Sequence, residues 1–245
     1  MPSNSTTNPK LTGTNIVDCI PQKGQCPNGC PECLYNRNFY LDVDKDLPLL
    51  PDPNTVNNAG RIVRVNSGHD SNINRAKVLR ATRCYRNRFY NTVTPDFDFR
   101  DEWGHNWPVV FTCNGGEPHF VDVPDNVMFV RIRMVCWWAD FNTYRLIGHY
   151  VAQGVPVVLT FMRYAAQDSI PGFAQCMYEE TTHVSNTWWC PKDVAVLNMM
   201  QFVHDLLLPT ERSSLVSMCG RPWSSFCRDC RHCEHLYWEC LRRIR

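Results

Sequence analysis

Short runs of consecutive apolar residues, separated by polar turns, recur along the chain and predict buried strands. They fall at 15–20 (NIVDCI), 61–65 (RIVRV), 88–93 (RFYNTV), 109–112 (VVFT), 127–134 (VMFVRIRM), 155–161 (VPVVLTF) and 214–218. Between them lie segments with apolar residues at helical spacing. These predict helices over about 71–86, capped by Asp70 or Ser71, over 144–153 with Gly154 as the stop, and over 195–208, ended by Pro209. Residues 42–60, rich in Pro, Asp and Asn, read as a connecting loop.

Continuous apolar strands alternating with helices predict a mostly parallel sheet, because each crossover helix covers a sheet face and leaves little of a strand in water. A closed eightfold barrel takes about 250 residues in regular units. At 245 residues with a loop-rich middle, this chain fits a partial, open (β/α)6-type barrel better. The expected organisation is a loose polar tail over 1–13, an α/β domain over 14–210 and a cysteine-rich extension over 211–245.

Composition narrows the function classes. Lys and Arg number 25 against 24 Asp and Glu, a net charge of +1, so no global field draws the chain to nucleic acid or an anionic membrane. No stretch approaches the ~20 apolar residues of a membrane span, and the N-terminus lacks an apolar signal core. A cytoplasmic location is the expectation. Of the 14 cysteines many are clustered, and in a reducing compartment such clusters point to metal binding, not disulfides. Cys84, Cys113, Cys136 and Cys176 stand alone and are expected to be plain buried thiols.

Cys26, Cys30 and Cys33 follow the first strand with the spacing C-x3-C-x2-C. Thiolates are soft ligands suited to iron–sulfur clusters or zinc. Gly29 permits a left-handed turn between ligands, and Pro27 and Pro31 stiffen the loop. Structural zinc takes four protein ligands; here three lie close together, and the nearest fourth is Cys19 on the preceding strand.

A C-x3-C-x2-C loop after the first strand of an α/β chain resembles the signature of the radical S-adenosylmethionine enzymes, with Glu32 at a position where that family usually has an aromatic. The resemblance implies a [4Fe–4S] cluster on Cys26, Cys30 and Cys33. The amino and carboxylate groups of S-adenosylmethionine would chelate its open iron. Reductive cleavage would give a 5′-deoxyadenosyl radical that abstracts hydrogen from a substrate the sequence does not name. An electron donor such as flavodoxin is implied as partner.

The resemblance also implies a glycine-containing turn that meets the cofactor's amino group. Two segments offer it. Asn66, Ser67, Gly68 and Asp70 follow the second strand, in the expected order. Gly115, Gly116 and Glu117 match the family's G-G-E-P letters but lie far down the chain. Arg133, late in the fifth strand, is a candidate partner for the cofactor carboxylate.

A second cysteine group, Cys219, Cys227, Cys230 and Cys233, contains C-x2-C-x2-C and is expected to hold a second cluster or zinc, with Cys240 as a substitute for Cys219. From 71 to 94 there are six basic residues and no acid, a face for an acidic electron donor or RNA. The competing function is a zinc-stabilised binding module, possible for nucleic acid, in which both cysteine groups are structural.

Overall fold

The computed structural model describes residues 8–30, 46–114, 119–137, 141–183, 186–207, 212–224 and 226–244. All seven expected strands are present: β1 (Ile16–Cys19), β2 (Ile62–Val65), β3 (Arg88–Thr92), β4 (Val109–Asn114), β5 (Val127–Met134), β6 (Val157–Phe161) and, after a hairpin, β9 (Val216–Met218). They form one sheet in the order β1-β2-β3-β4-β5-β6-β9. Each pairing described in it is parallel, as in Cys19 opposite Val65 and Val65 opposite Tyr90. Spatial order follows chain order, without the reversal that marks a doubly wound sheet. Right-handed crossovers in such an order put successive connections on the same face.

The chain divides into two compact units. The first comprises Met1–Thr112, Val123–Phe129 and Phe226–Arg245. Side-chain alternation sorts its strands into two faces. Cys19, Val63, Val65, Tyr90 and Val109 form a core with Val56 of α1 (Pro53–Asn58) and Val78 of α2 (Arg75–Thr82). The other parity carries Asp18, Arg64 and Phe89. Phe89 meets Tyr237 of α6 (His232–Ile244), with ring centroids 6.2 Å apart.

The second unit comprises Cys113–Asp122 and Val130–Ser225. In it β6 lies between β5 and β9, and β7 (Tyr178–His183) and β8 (Asn186–Pro191) form an antiparallel hairpin. Helix α3 (Phe141–Ala152) buries Tyr144, Leu146, Ile147, Tyr150 and Val151, and the Tyr144 ring meets Phe202 of α4 (Asp193–Leu207) edge-on.

Four local features differ from the pattern reading. Helix α1 sits inside the expected loop, because the Asp52 carboxylate caps it through the Thr55 N–H (2.9 Å) and Pro53 takes its first position. Helix α2 begins at Arg75, not near residue 71. Its N-cap is Asn74 in a left-handed conformation (φ 55°) with no side-chain cap bond, since Asp70 is engaged elsewhere. The β7–β8 hairpin was not foreseen. The C-terminal segment, expected as a cysteine-rich extension, forms α5 (Cys227–Cys230) and the amphipathic α6, with Leu236, Tyr237, Cys240 and Leu241 buried at helical spacing.

Candidate functional site

Strand β1 ends at Cys19, and the chain passes through Gln22 into the loop carrying Cys26 and Cys30. Both thiols are half-buried. Burial pushes the Cys26 thiol above its usual value, with the charges of Asp70 and Cys30 adding to this; hydrogen bonds from the backbone at Asn28 and Asp70 act the other way. Cys33 lies outside the described residues.

The segment after β2 packs directly against this loop. Asn66 terminates β2 in a left-handed conformation (φ 59°), which asparagine tolerates better than most residues. Its N–H donates to the Cys19 carbonyl at 2.8 Å, so the two loops leave the sheet together. The Asn28 amide donates to Asp70 Oδ2 at 3.0 Å, and Gln22 Nε2 donates to the carbonyls of Asp70 (3.3 Å) and Ile73 (3.2 Å). Ser67 and Gly68, half-buried, complete the turn. The expected juxtaposition of 66–70 with the first cysteine loop is therefore present. The competing Gly115, Gly116 and Glu117 lie outside the described residues.

Asp70 occupies the expected place in a different role. Its carboxylate, 2% exposed, accepts from Asn72 N–H (2.8 Å), Thr92 Oγ1 (2.8 Å), Val93 N–H (3.1 Å), Thr94 Oγ1 (3.0 Å) and Asn28 Nδ2. A carboxylate offers about four lone-pair sites, so five donors saturate it. It ties the cysteine loop to the turns after β2 and β3.

What remains unspent at the site are acceptors. Among the described residues, Gln22 Oε1 and Asn66 Oδ1 are buried without a hydrogen-bond partner, although their amide nitrogens are engaged, Asn66 Nδ2 with Ser71 Oγ at 3.1 Å. Both nitrogens of His69 are also out of water without a partner of good geometry. Burial depresses the His69 pKa, and the adjacent backbone of Asp70 and Gln25 opposes this weakly. A buried acceptor left unmade costs of order 1–3 kcal/mol, so such atoms in the two loops that leave β1 and β2 together mark a place where donors are expected. Sequence reasoning missed Gln22. Its signal was position alone, three residues after the end of β1 and four before Cys26.

Other cysteines are committed elsewhere. Cys19 is fully buried in the α1/α2 face with its thiol bonded to Tyr85, and burial pushes it up to about 12. It is core, not a fourth ligand. Cys113 and Cys136 are buried as expected, whereas Cys84 and Cys176 are exposed. Cys240 is fully buried against the carbonyls of Asp125 (3.6 Å) and Asn126 (3.5 Å), which makes it a packing residue and not a substitute ligand.

Cys227, Cys230 and Cys233 are all half-buried, on α5 and the first turn of α6. Two of them, Cys227 and Cys233, lie within electrostatic reach of the polar parity of β1 and β2. There Arg64 makes a two-pronged ion pair with Asp18 (2.6 and 3.1 Å), and Asn8 also donates to Asp18. Burial alone would lower the Arg64 pKa; Asp18, and beyond it Cys227 and Cys233, hold it well above its usual range. Cys219 follows β9 in the second unit and is exposed, and Arg133 is half-buried on β5. Among the described residues no group of three or more His, Cys, Asp or Glu side chains is arranged to hold a metal ion. No described helix is long and apolar enough to cross a membrane. Comparison with family models, curated proteins and solved structures gave no match.

Proposed function

We propose that the chain is a radical S-adenosylmethionine-type enzyme, built on a partial, open barrel, whose Cys26, Cys30 and Cys33 hold a [4Fe–4S] cluster. The supporting observation is the pair of buried carbonyl acceptors, Gln22 Oε1 and Asn66 Oδ1, that have no partner among the described residues and lie in the loops that follow β1 and β2, the first of which carries Cys26. An ammonium group needs such acceptors and no positive neighbour. The donor set fits as well. Thiols are soft ligands, and with Cys19 spent in the core, the loop offers no nearby cysteine to close a fourth position.

When bound, the cluster supplies the electron for reductive cleavage of S-adenosylmethionine. The chain's own residues bind and orient. Asn66 and Gln22 accept from the amino group. Asp70 holds the cysteine loop against the turns after β2 and β3, and Arg133 remains the candidate for the carboxylate. The substrate is unassigned, and an external one-electron donor such as flavodoxin is required. Cys227, Cys230 and Cys233 are the candidate ligands of a second cluster or zinc, and Arg64, within electrostatic reach of two of the thiols, would offset thiolate charge.

The test is anaerobic purification followed by assay of S-adenosylmethionine cleavage with a chemical reductant. A brown protein that releases 5′-deoxyadenosine and methionine supports the reading. A colourless zinc protein without cleavage supports the zinc-stabilised module instead.

A further inference from the structure

On α2 and just beyond it, Lys77, Arg80, Arg83 and Arg86 are all exposed. None has an ion pair or hydrogen-bond partner for its side chain among the described residues. This sets them apart from most arginines of the first unit, which are engaged: Arg61 with the carbonyls of Thr14 and Ile16, Arg64 with Asp18, Arg75 with Asp96, Arg88 with Asp101 and Arg243 with the Val127 carbonyl. Lys77, Arg80 and Arg83 recur every third residue, an advance of about 4.5 Å per charge in a helix, with Arg83 at the C-cap keeping helical dihedrals (φ −59°, ψ −24°); Arg86 lies on the segment that follows.

The segment that carries Arg86 is tied to a turn with an exposed aromatic. Arg88 donates to the Tyr85 carbonyl at 2.6 Å and pairs with Asp101, so the 101–106 turn is fastened to the residues flanking Arg86. Trp103 on that turn is 66% exposed. The turn is braced: Asp101 accepts from the N–H groups of Trp103 (3.0 Å) and His105 (3.1 Å) and from Trp107 Nε1 (2.9 Å), while Gly104 takes φ +83°. The Arg88 guanidinium lies 3.6 Å from the Trp107 ring centroid. A large indole is thus presented to water on a rigid support, which lowers the entropy lost when something stacks on it. Glu102, exposed beside it, offsets part of the local charge.

We propose that Lys77, Arg80, Arg83, Arg86 and Trp103 form a binding surface for single-stranded nucleic acid, the cations tracking its phosphates and the indole stacking a base. Cations beside a braced, exposed indole match the pairing that binds a single strand, phosphates on the cations and a base face on the indole. The inference does not depend on the iron–sulfur reading, and its test uses no cofactor.

The test is fluorescence anisotropy of a labelled, mixed-sequence RNA of about 16 nucleotides, and of DNA of the same sequence, titrated with the full chain over a range of salt. Four neutralised phosphates on a single strand give a log–log salt slope of about −3. The K77Q/R80Q/R83Q/R86Q variant is expected to lose at least about tenfold in affinity at low salt and most of that slope. Trp103→Ala is expected to lose roughly tenfold with the slope unchanged, and Trp103→Phe to recover part of it. Unaltered thermal melting of each variant keeps the comparison clean. Absence of binding at low salt overturns the proposal, as does a slope the fourfold variant leaves intact. So does competition by polyglutamate as effective as the unlabelled strand together with no effect of Trp103→Ala, which would identify a surface for acidic proteins.

Discussion

Asp70 gives the sharpest test of how the candidate site is held together. The side chain is 2% exposed and accepts five hydrogen bonds, four of them from two segments besides its own turn: Asn28 in the cysteine loop, and Thr92, Val93 and Thr94 at the end of β3. Asp70→Ala removes every acceptor at once. Asn28 is exposed and can turn to water. The half-buried Asn72 and Val93 N–H groups are left short of partners, while the Thr92 hydroxyl falls back on the Thr94 carbonyl at 3.1 Å. At about 1–3 kcal/mol per stranded donor, with partial rehydration, the loss is roughly 3–5 kcal/mol. Asp70→Asn keeps one acceptor oxygen but turns an NH2 toward existing donors, and is expected to cost about 2–3 kcal/mol. Urea unfolding followed by circular dichroism measures both. With a slope near 3 kcal/mol per molar, the alanine variant's midpoint falls by at least about 1 M. A midpoint within about 0.3 M of the unaltered protein would refute the brace.

Three further outcomes follow from the geometry. Arg64→Met leaves Asp18 buried and unpaired and is expected to cost about 3–5 kcal/mol, with Asp18→Asn/Arg64→Met recovering much of it in the same unfolding assay; equal losses in single and double variants would contradict the pairing. Tyr237→Ala, at a fully buried position against Phe89, is expected to cost about 3–5 kcal/mol in thermal or urea unfolding, and a loss under about 1 kcal/mol would mean α6 does not anchor there. Asn66→Ala and Gln22→Leu are expected to weaken S-adenosylmethionine binding, measured by equilibrium dialysis, by roughly tenfold each while iron content is unchanged; unaltered affinity would remove both residues from the cofactor site.

Much of the sheet was legible because its strands are buried on both faces. Segments such as VVLTF and VMFVRIRM are apolar runs that no competing pattern obscures. The helix at α6 was not, because its cysteines draw attention as ligands, while Leu236, Tyr237, Cys240 and Leu241 form an ordinary amphipathic stripe. Cys240 shows the ambiguity directly: thiols serve both as ligands and as small core groups, and only its contacts with Asp125 and Asn126 decide. At the candidate site, proximity of 66–70 to the cysteine loop could be read from strand order. The roles within it could not. Asp70 reads as a cofactor acceptor until its five donors are counted, and Gln22 has no motif at all. Its carbonyl matters only because its amide nitrogen is already spent on Asp70 and Ile73. Saturation of hydrogen bonds is a property of the folded arrangement, with no counterpart in spacing or composition.

The most direct measurement of the central claim compares iron and acid-labile sulfide in the anaerobically purified chain and in its Cys26→Ala/Cys30→Ala/Cys33→Ala variant. Taking the difference removes any contribution from the C-terminal cysteines. The predicted result is a loss of one [4Fe–4S] complement of iron and sulfide, with loss of reductive S-adenosylmethionine cleavage and no change in thermal unfolding beyond that of the cluster itself. Equal iron and sulfide in the two proteins, or zinc alone in both, would contradict it.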